Sequence, residues 1–173
     1  MKKNLLFLII IISIGLIAEE PHFMSDPAIS ADGESVCFMY MNDLWVVSFE
    51  GGDARRITVS EGKNWGPAYS PDGKTIAFNT NRDGWTHIYN IASEGGIATS
   101  VCAEGFTVVD WIDSKTMLAT GSEPGFGSKF FEVKTNGEFK EITKLGGFYC
   151  NVSPDAEKII YARRGMPFRE KYR

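Results

Sequence analysis

Histidine is almost missing from this chain of 173 residues: only His22 and His87 occur. Cysteine is scarce as well. Cys37, Cys102 and Cys150 are odd in number and unrelated in spacing, which excludes a disulfide framework and any cysteine–histidine metal pattern and leaves them as small apolar core residues. No phosphate-binding loop is present, because Gly121 to Lys129 matches neither a P-loop nor Gly-x-Gly-x-x-Gly, and no Gly-x-Ser-x-Gly elbow occurs. No cofactor, metal or catalytic residue is therefore read from this chain. Basic charge is also short. Without Lys2 and Lys3, 16 basic residues face 22 acidic ones, a net charge of −6, which argues against nucleic acid or anionic lipid as a partner. No segment keeps a helical period, so almost no helix is expected beyond the N-terminus.

One long apolar run exists, Leu5 to Ala18, and it follows Lys2 and Lys3 and precedes Glu19-Glu20-Pro21. A basic start, an apolar centre and a small residue before a polar segment read as a signal peptide over 1–18, cleaved after Ala18. The run is short for a bilayer span of about 20 residues, and Leu16, three residues before the cleavage point, leaves an uncleaved N-terminal anchor as the alternative. The expectation is an exported protein, periplasmic or extracellular, with no membrane contact beyond the signal.

What the chain has in abundance is turns. A phrase of about 40 residues recurs four times, with Ser30-Ala31-Asp32-Gly33, Ser70-Pro71-Asp72-Gly73, Ile112-Asp113-Ser114 and Ser153-Pro154-Asp155-Ala156 as its most visible word. The aspartates are spaced by 40, 41 and 42 residues. A fixed period of this size, made of short extended runs, marks a repeat array such as a propeller. In the second copy, Pro71-Asp72-Gly73 supplies a preset φ, a side-chain cap and a left-handed residue. Lys74 to Asn79 then alternates like a strand with one buried face. Asn81-Arg82-Asp83-Gly84 is a hairpin signal, Trp85 to Ile91 a further strand, Glu94-Gly95-Gly96 a third turn and Ile97 to Cys102 a fourth strand. Each copy thus reads as a four-stranded antiparallel meander. The expected fold is all-β, about 3.5 propeller blades in an incomplete ring, over 26–60, 66–103, 107–145 and 148–173, the last truncated.

Pro27 to Phe38, Asp43-Leu44-Trp45-Val46-Val47, Glu50 to Thr58, Pro67 to Phe78 and Glu94 to Gly96 resemble the WD-like repeat of TolB and tricorn propellers, over 26–173. Ile159 to Gly165 with Phe168 to Arg173 is similar to the fourth blade of exported tricorn-like serine peptidases. The resemblance implies a non-catalytic propeller segment of such a peptidase, gating or binding peptide or protein substrates. It also implies alternatives: a TolB-like envelope propeller that binds proteins, or the propeller of a prolyl-oligopeptidase-like exopeptidase. In the peptidases the catalytic residues lie far downstream, so none is carried over and the enzyme question stays open. Partners implied are the rest of a longer polypeptide and a peptide or protein substrate. The chain is expected to be a fragment, with oligomers possible.

Candidate contacts lie on the longest hairpin, Gly121 to Ser128, read as a mobile loop: Pro124, Phe126 and, at its base, Lys129. His87 is expected to be a hydrogen-bonded blade residue. Trp45, Trp85 and Trp111 are expected to fill the wedges between blades. Asp32, Asp72, Asp83 and Asp155 are explained as turn residues, since calcium takes several oxygen ligands from one loop. Asn151-Val152-Ser153 has the form of a glycosylation acceptor, but Pro154 and a strand position argue against its use.

Overall fold

The computed structural model describes residues 23–59, 61–123, 127–142, 148–153 and 155–162. All regular structure in them is strand. The first sheet runs β1 (Ser25–Ile29), β2 (Ser35–Tyr40), β3 (Asp43–Ser48), β4 (Arg55–Arg56), and the second β5 (Asn64–Tyr69), β6 (Thr75–Thr80), β7 (His87–Ala92), β8 (Thr99–Ser100). The third holds β9 (Phe106–Asp113), β10 (Thr116–Glu123), β11 (Gly127–Lys134) and β12 (Phe139–Glu141), and β13 (Phe148–Val152) pairs with β14 (Ile159–Ala162). Every pairing is antiparallel between chain neighbours. The first strands lie side by side, β1 against β5, β5 against β9 and β9 against β13. The four sheets are successive blades of a β-propeller, without a closed ring among the described residues.

Three of the four blades share the same turn between their first two strands. Ser30 Oγ donates to Asp32 Oδ1 at 2.5 Å, and that oxygen also accepts from Glu34 N at 3.0 Å, while Ser30 Oγ accepts from Ser35 N at 2.9 Å. Ser70 and Asp72 repeat this at 2.6, 3.1 and 3.0 Å, and Ser153 and Asp155 at 2.5, 3.1 and 2.9 Å. The serine hydroxyl, and after it the backbone N–H, hold all three carboxyls below the usual range. In the third blade the serine position is Ile112, and only the Lys115 N to Asp113 Oδ1 bond, 2.7 Å, remains. Gly33 and Gly73 close their turns at φ 75° and 70°; Ala156 takes the same role at φ 57°.

The blades pack face to face, so β6, whose alternation alone reads as one buried face, is buried on both. In β6, Ile76 and Phe78 join a core with Cys37, Leu44 and Ile57 of the first blade, whereas Ala77 between them joins Val108, Trp111 and Met117 of the third. In β10, Met117 and Ala119 face the second blade, while Leu118 packs with Phe130 and Cys150 toward the fourth. Buried polar groups cross the junction in pairs. The Asn79 amide accepts from Val108 N at 2.7 Å and donates to Val108 O at 3.3 Å, and Trp111 Nε1 donates to Ala68 O at 2.9 Å.

Three further expectations change. Gly121 to Glu123 and Gly127 to Ser128 are strand rather than loop: β10 and β11 pair through Gly121↔Lys129, Ser122↔Ser128 and Glu123↔Gly127, and 124–126 lie outside the described residues. Glycine continues the ladder here because two rings need the space. A Cβ on Gly121 would stand 2.8 Å from Phe131 and 3.0 Å from Phe106. The strand expected from Trp85 begins at His87, and Trp85 is not a wedge residue but stands 77% exposed. Trp111 is buried at its junction; Trp45 is half-buried, edge-on to Tyr40, with Nε1 bonded to Tyr40 O at 3.1 Å. The fourth strands are shorter than expected, two or three residues each.

Two outcomes follow from these contacts. Ala156→Gly removes the cost of a left-handed residue with a Cβ and should stabilise the fold by about 1 kcal/mol in urea unfolding, less the added chain entropy of glycine. Asp110, half-buried where Ala28 and Ala68 stand in the earlier blades, is pushed above the usual carboxyl range by burial, with one opposing bond from Trp111 N at 2.8 Å. A raised folded pKa contributes stability at low pH that is lost as pH rises through it. Asp110→Asn should therefore raise the melting temperature near neutral pH and leave it unchanged in acid; an equal gain at both would refute the assignment.

A candidate interaction rim

At one end of the blades the second and third strands meet, and the fourth strand departs for the next blade. Met41-Asn42 forms the first of these turns, both residues at positive φ, 50° and 67°. Two left-handed residues in a two-residue hairpin match the twist of the strands, at a cost for a side chain such as methionine. The turn is held from the next blade: Asn64 donates to Asn42 O through its backbone N and through Nδ2, both at 2.9 Å.

Behind that turn lies a buried polar network. Asp43 is buried, and its Oδ1 accepts from Thr58 Oγ1 at 2.7 Å and Asn64 Nδ2 at 3.1 Å, while Oδ2 is paired with Arg56. Thr58 Oγ1 in turn accepts from Leu44 N at 2.9 Å. Arg82, in the same blade as Asn64, donates from Nη2 to Asn64 Oδ1 at 3.1 Å and from Nε to Thr80 Oγ1 at 3.2 Å. Its guanidinium stands over the Tyr89 ring, 4.5 Å from the centroid, a cation–π contact. The Tyr89 hydroxyl donates to Asp83 Oδ2 at 2.6 Å, and that bond, ahead of desolvation, holds the phenol above its usual range.

These bonds pin the loop 81–86. Asn81 exchanges bonds with Lys63, at 2.7 Å through Oδ1 and 3.2 Å through its own N, and Gly84 N closes onto Asn81 O at 2.9 Å. At its tip the Trp85 indole projects into solvent. Met41 and Val59 are also exposed on this rim. A large aromatic held on a fixed loop is preorganised for contact.

Of the contacts expected from the sequence, Pro124 and Phe126 lie outside the described residues. Lys129 is half-buried at the base of that hairpin, its Nζ 3.2 Å from Glu141 Oε2. His87 departs from expectation, since its buried Nδ1 has no hydrogen-bond partner. The thiols are buried and pushed up by desolvation, Cys37 to about 12 and Cys150 to about 11, with Cys102 raised as well, which makes them poor nucleophiles. Among the described residues no group of three or more His, Cys, Asp or Glu is placed to hold a metal. Sequence reading missed Met41-Asn42, because methionine disfavours a left-handed turn and no glycine follows Asn42, and misplaced Trp85, because it reads as the first residue of an alternating strand that in fact begins at His87.

Residues 21–173 match the family described as the tricorn protease N-terminal β-propeller domain. A tricorn protease homologue of Streptomyces coelicolor is 28% identical over 129 residues, covering 72% of this chain and 10% of the relative. The Tol-Pal system protein TolB of Bordetella pertussis is 39% identical over 59 residues, 34% of this chain and 14% of the relative. Among solved structures, TolB from Acinetobacter baumannii aligns with a TM-score of 0.74 at 19% identity over 85% of this chain and 39% of that one. The tricorn protease aligns at 0.64 and 17% identity over 78% and 15%. The chain thus spans a small part of the curated relatives it matches.

Asn64 is the joint of the network, and Asn64→Ala strips Asp43 and Arg82 of a partner each. The expected loss is roughly 2–3 kcal/mol in urea unfolding, far more than the change of about 0.5 kcal/mol or less that an isolated surface asparagine would show.

Proposed function

The chain belongs to the tricorn protease N-terminal β-propeller family, and from that premise we propose that it is the non-catalytic propeller of an exported tricorn-like serine peptidase. In this reading it binds peptide or protein segments at the rim of Met41, Val59 and Trp85 and delivers them to a catalytic domain of the same polypeptide. The tricorn homologues support the parent class, and the leader-like residues 1–18 support export to the periplasm or beyond. The observation that carries the binding role is Trp85, an exposed indole on a loop fastened by Asn81, Arg82 and Asp83. Tryptophan dominates interface energetics, and a rigid loop loses little entropy when it binds.

The stretch of 59 residues shared with TolB favours a second reading, an envelope propeller that binds folded protein partners without any peptidase. The coding sequence that follows separates the two: a serine-peptidase domain supports the first, and an end after the sixth blade supports the second.

Trp85→Ala tests the rim directly. It should leave thermal stability within about 0.5 kcal/mol, as for an exposed side chain. Binding of a mixed oligopeptide library, followed by fluorescence anisotropy, should weaken about tenfold or more. Unchanged peptide affinity would remove the rim from the mechanism.

A further inference from the structure

The third and fourth strands of the three complete blades share one register. Arg56 stands opposite Trp45, Ser100 opposite Tyr89 and Glu141 opposite Phe131. Two residues before each ring come Asp43, His87 and Lys129. The same added backbone bond extends each pair, Ile57 N to Leu44 O, Val101 N to Ile88 O and Ile142 N to Phe130 O, each at 2.9 Å. Backbone geometry therefore does not distinguish one blade's outer strand from another's. These strands are also the most weakly held, with two, two and three residues. Near-identical repeats with short outer strands invite exchange between copies of a chain.

The side chains at these positions do distinguish them. The first blade sets Asp43 against Arg56 and the third Lys129 against Glu141 at 3.2 Å, while the second has the uncharged Ser100 opposite Tyr89. The sign of the pair is reversed between the first and third blades. A third-blade outer strand laid on the first blade would bring Glu141 to Asp43, and the converse exchange would bring Arg56 to Lys129. Like charges across strands destabilise a pairing, and here one of them, Asp43, is buried.

We propose that the reversed pairs Asp43–Arg56 and Lys129–Glu141 are a pairing code that keeps the outer strands of the first and third blades from trading places and suppresses that strand exchange between chains during folding. The code acts on misassembly; the net worth of the partly exposed Lys129–Glu141 pair to the native state is small.

The test is a full-length chain carrying Lys129→Asp with Glu141→Arg, which keeps an ion pair in the third blade but gives it the sign of the first. The urea midpoint of the refolded monomer should match the wild type. The monomer yield on refolding should fall roughly two- to fivefold at high chain concentration and recover at low concentration, with the difference found as exchanged oligomers. The control, Lys129→Arg with Glu141→Asp, keeps the sign and should refold like the wild type. The proposal is overturned by a wild-type yield in the sign-reversed chain, by an equal loss in the control, or by a loss independent of concentration, which marks a packing defect.

Discussion

Both faces of each interior blade are covered, and most of the structure depends on that constraint. A sheet exposed to water on one side needs apolar residues only at alternate positions. In β6, by contrast, Ile76 and Phe78 face one neighbour while Ala77 and Asn79 face the other, and all four are buried. Size then has to alternate where polarity cannot. The face toward the preceding blade carries the large side chains, Tyr69, Ile76, Phe78 and Ile91, and the face toward the next carries Ala68 and Ala77 with Ile88. Large on small repeats at the following junction, where Trp111, Met117 and Phe131 meet those alanines. Close packing of this kind transmits the position of one blade to the next.

The polar groups at the junctions are placed by the same constraint. A buried amide is tolerable when its bonds are met, and Asn79 meets them with both backbone groups of Val108. At the rim, Asp43 could not remain buried without Thr58, Asn64 and Arg56 around it. Asn64 belongs to the second blade, so the first blade's carboxylate is satisfied only once the two blades have docked. Folding of the rim and docking of the blades are one event. The loop bearing Trp85 inherits its rigidity from that network through Arg82, which ties a surface feature to the buried junction beneath it.

Much of this was legible in the residues. The period of the aspartates and the Ser-x-Asp-Gly turns announced the blades because turn chemistry is local: the serine, the aspartate and the backbone they cap lie within six residues. Strand order followed, since short turns leave antiparallel neighbours as the one connection available. The family resemblance was carried by the same words and is upheld by the match over 21–173. Less legible were features whose cause lies far along the chain. Gly121 reads as a loop residue until Phe106 and Phe131 are seen to need its missing Cβ. Trp85 reads as core, by hydrophobicity, until β7 is seen to begin two residues later.

Sequence alone determined the repeat, the antiparallel meander and the capped turns, because each rests on interactions within a few residues or within one hairpin. Tertiary structure decided which face each side chain presents and to which neighbour. It decided that a carboxylate at Asp43 lies buried and paired while the equivalent position in the third blade holds a lysine, and that one tryptophan fills a junction while another stands in solvent. The physical reason is that packing and desolvation are set by groups 21 to 43 residues away, as Asn64 is from Asp43 and Trp111 from Ala68, and no local pattern records which distant surface will arrive to cover a side chain.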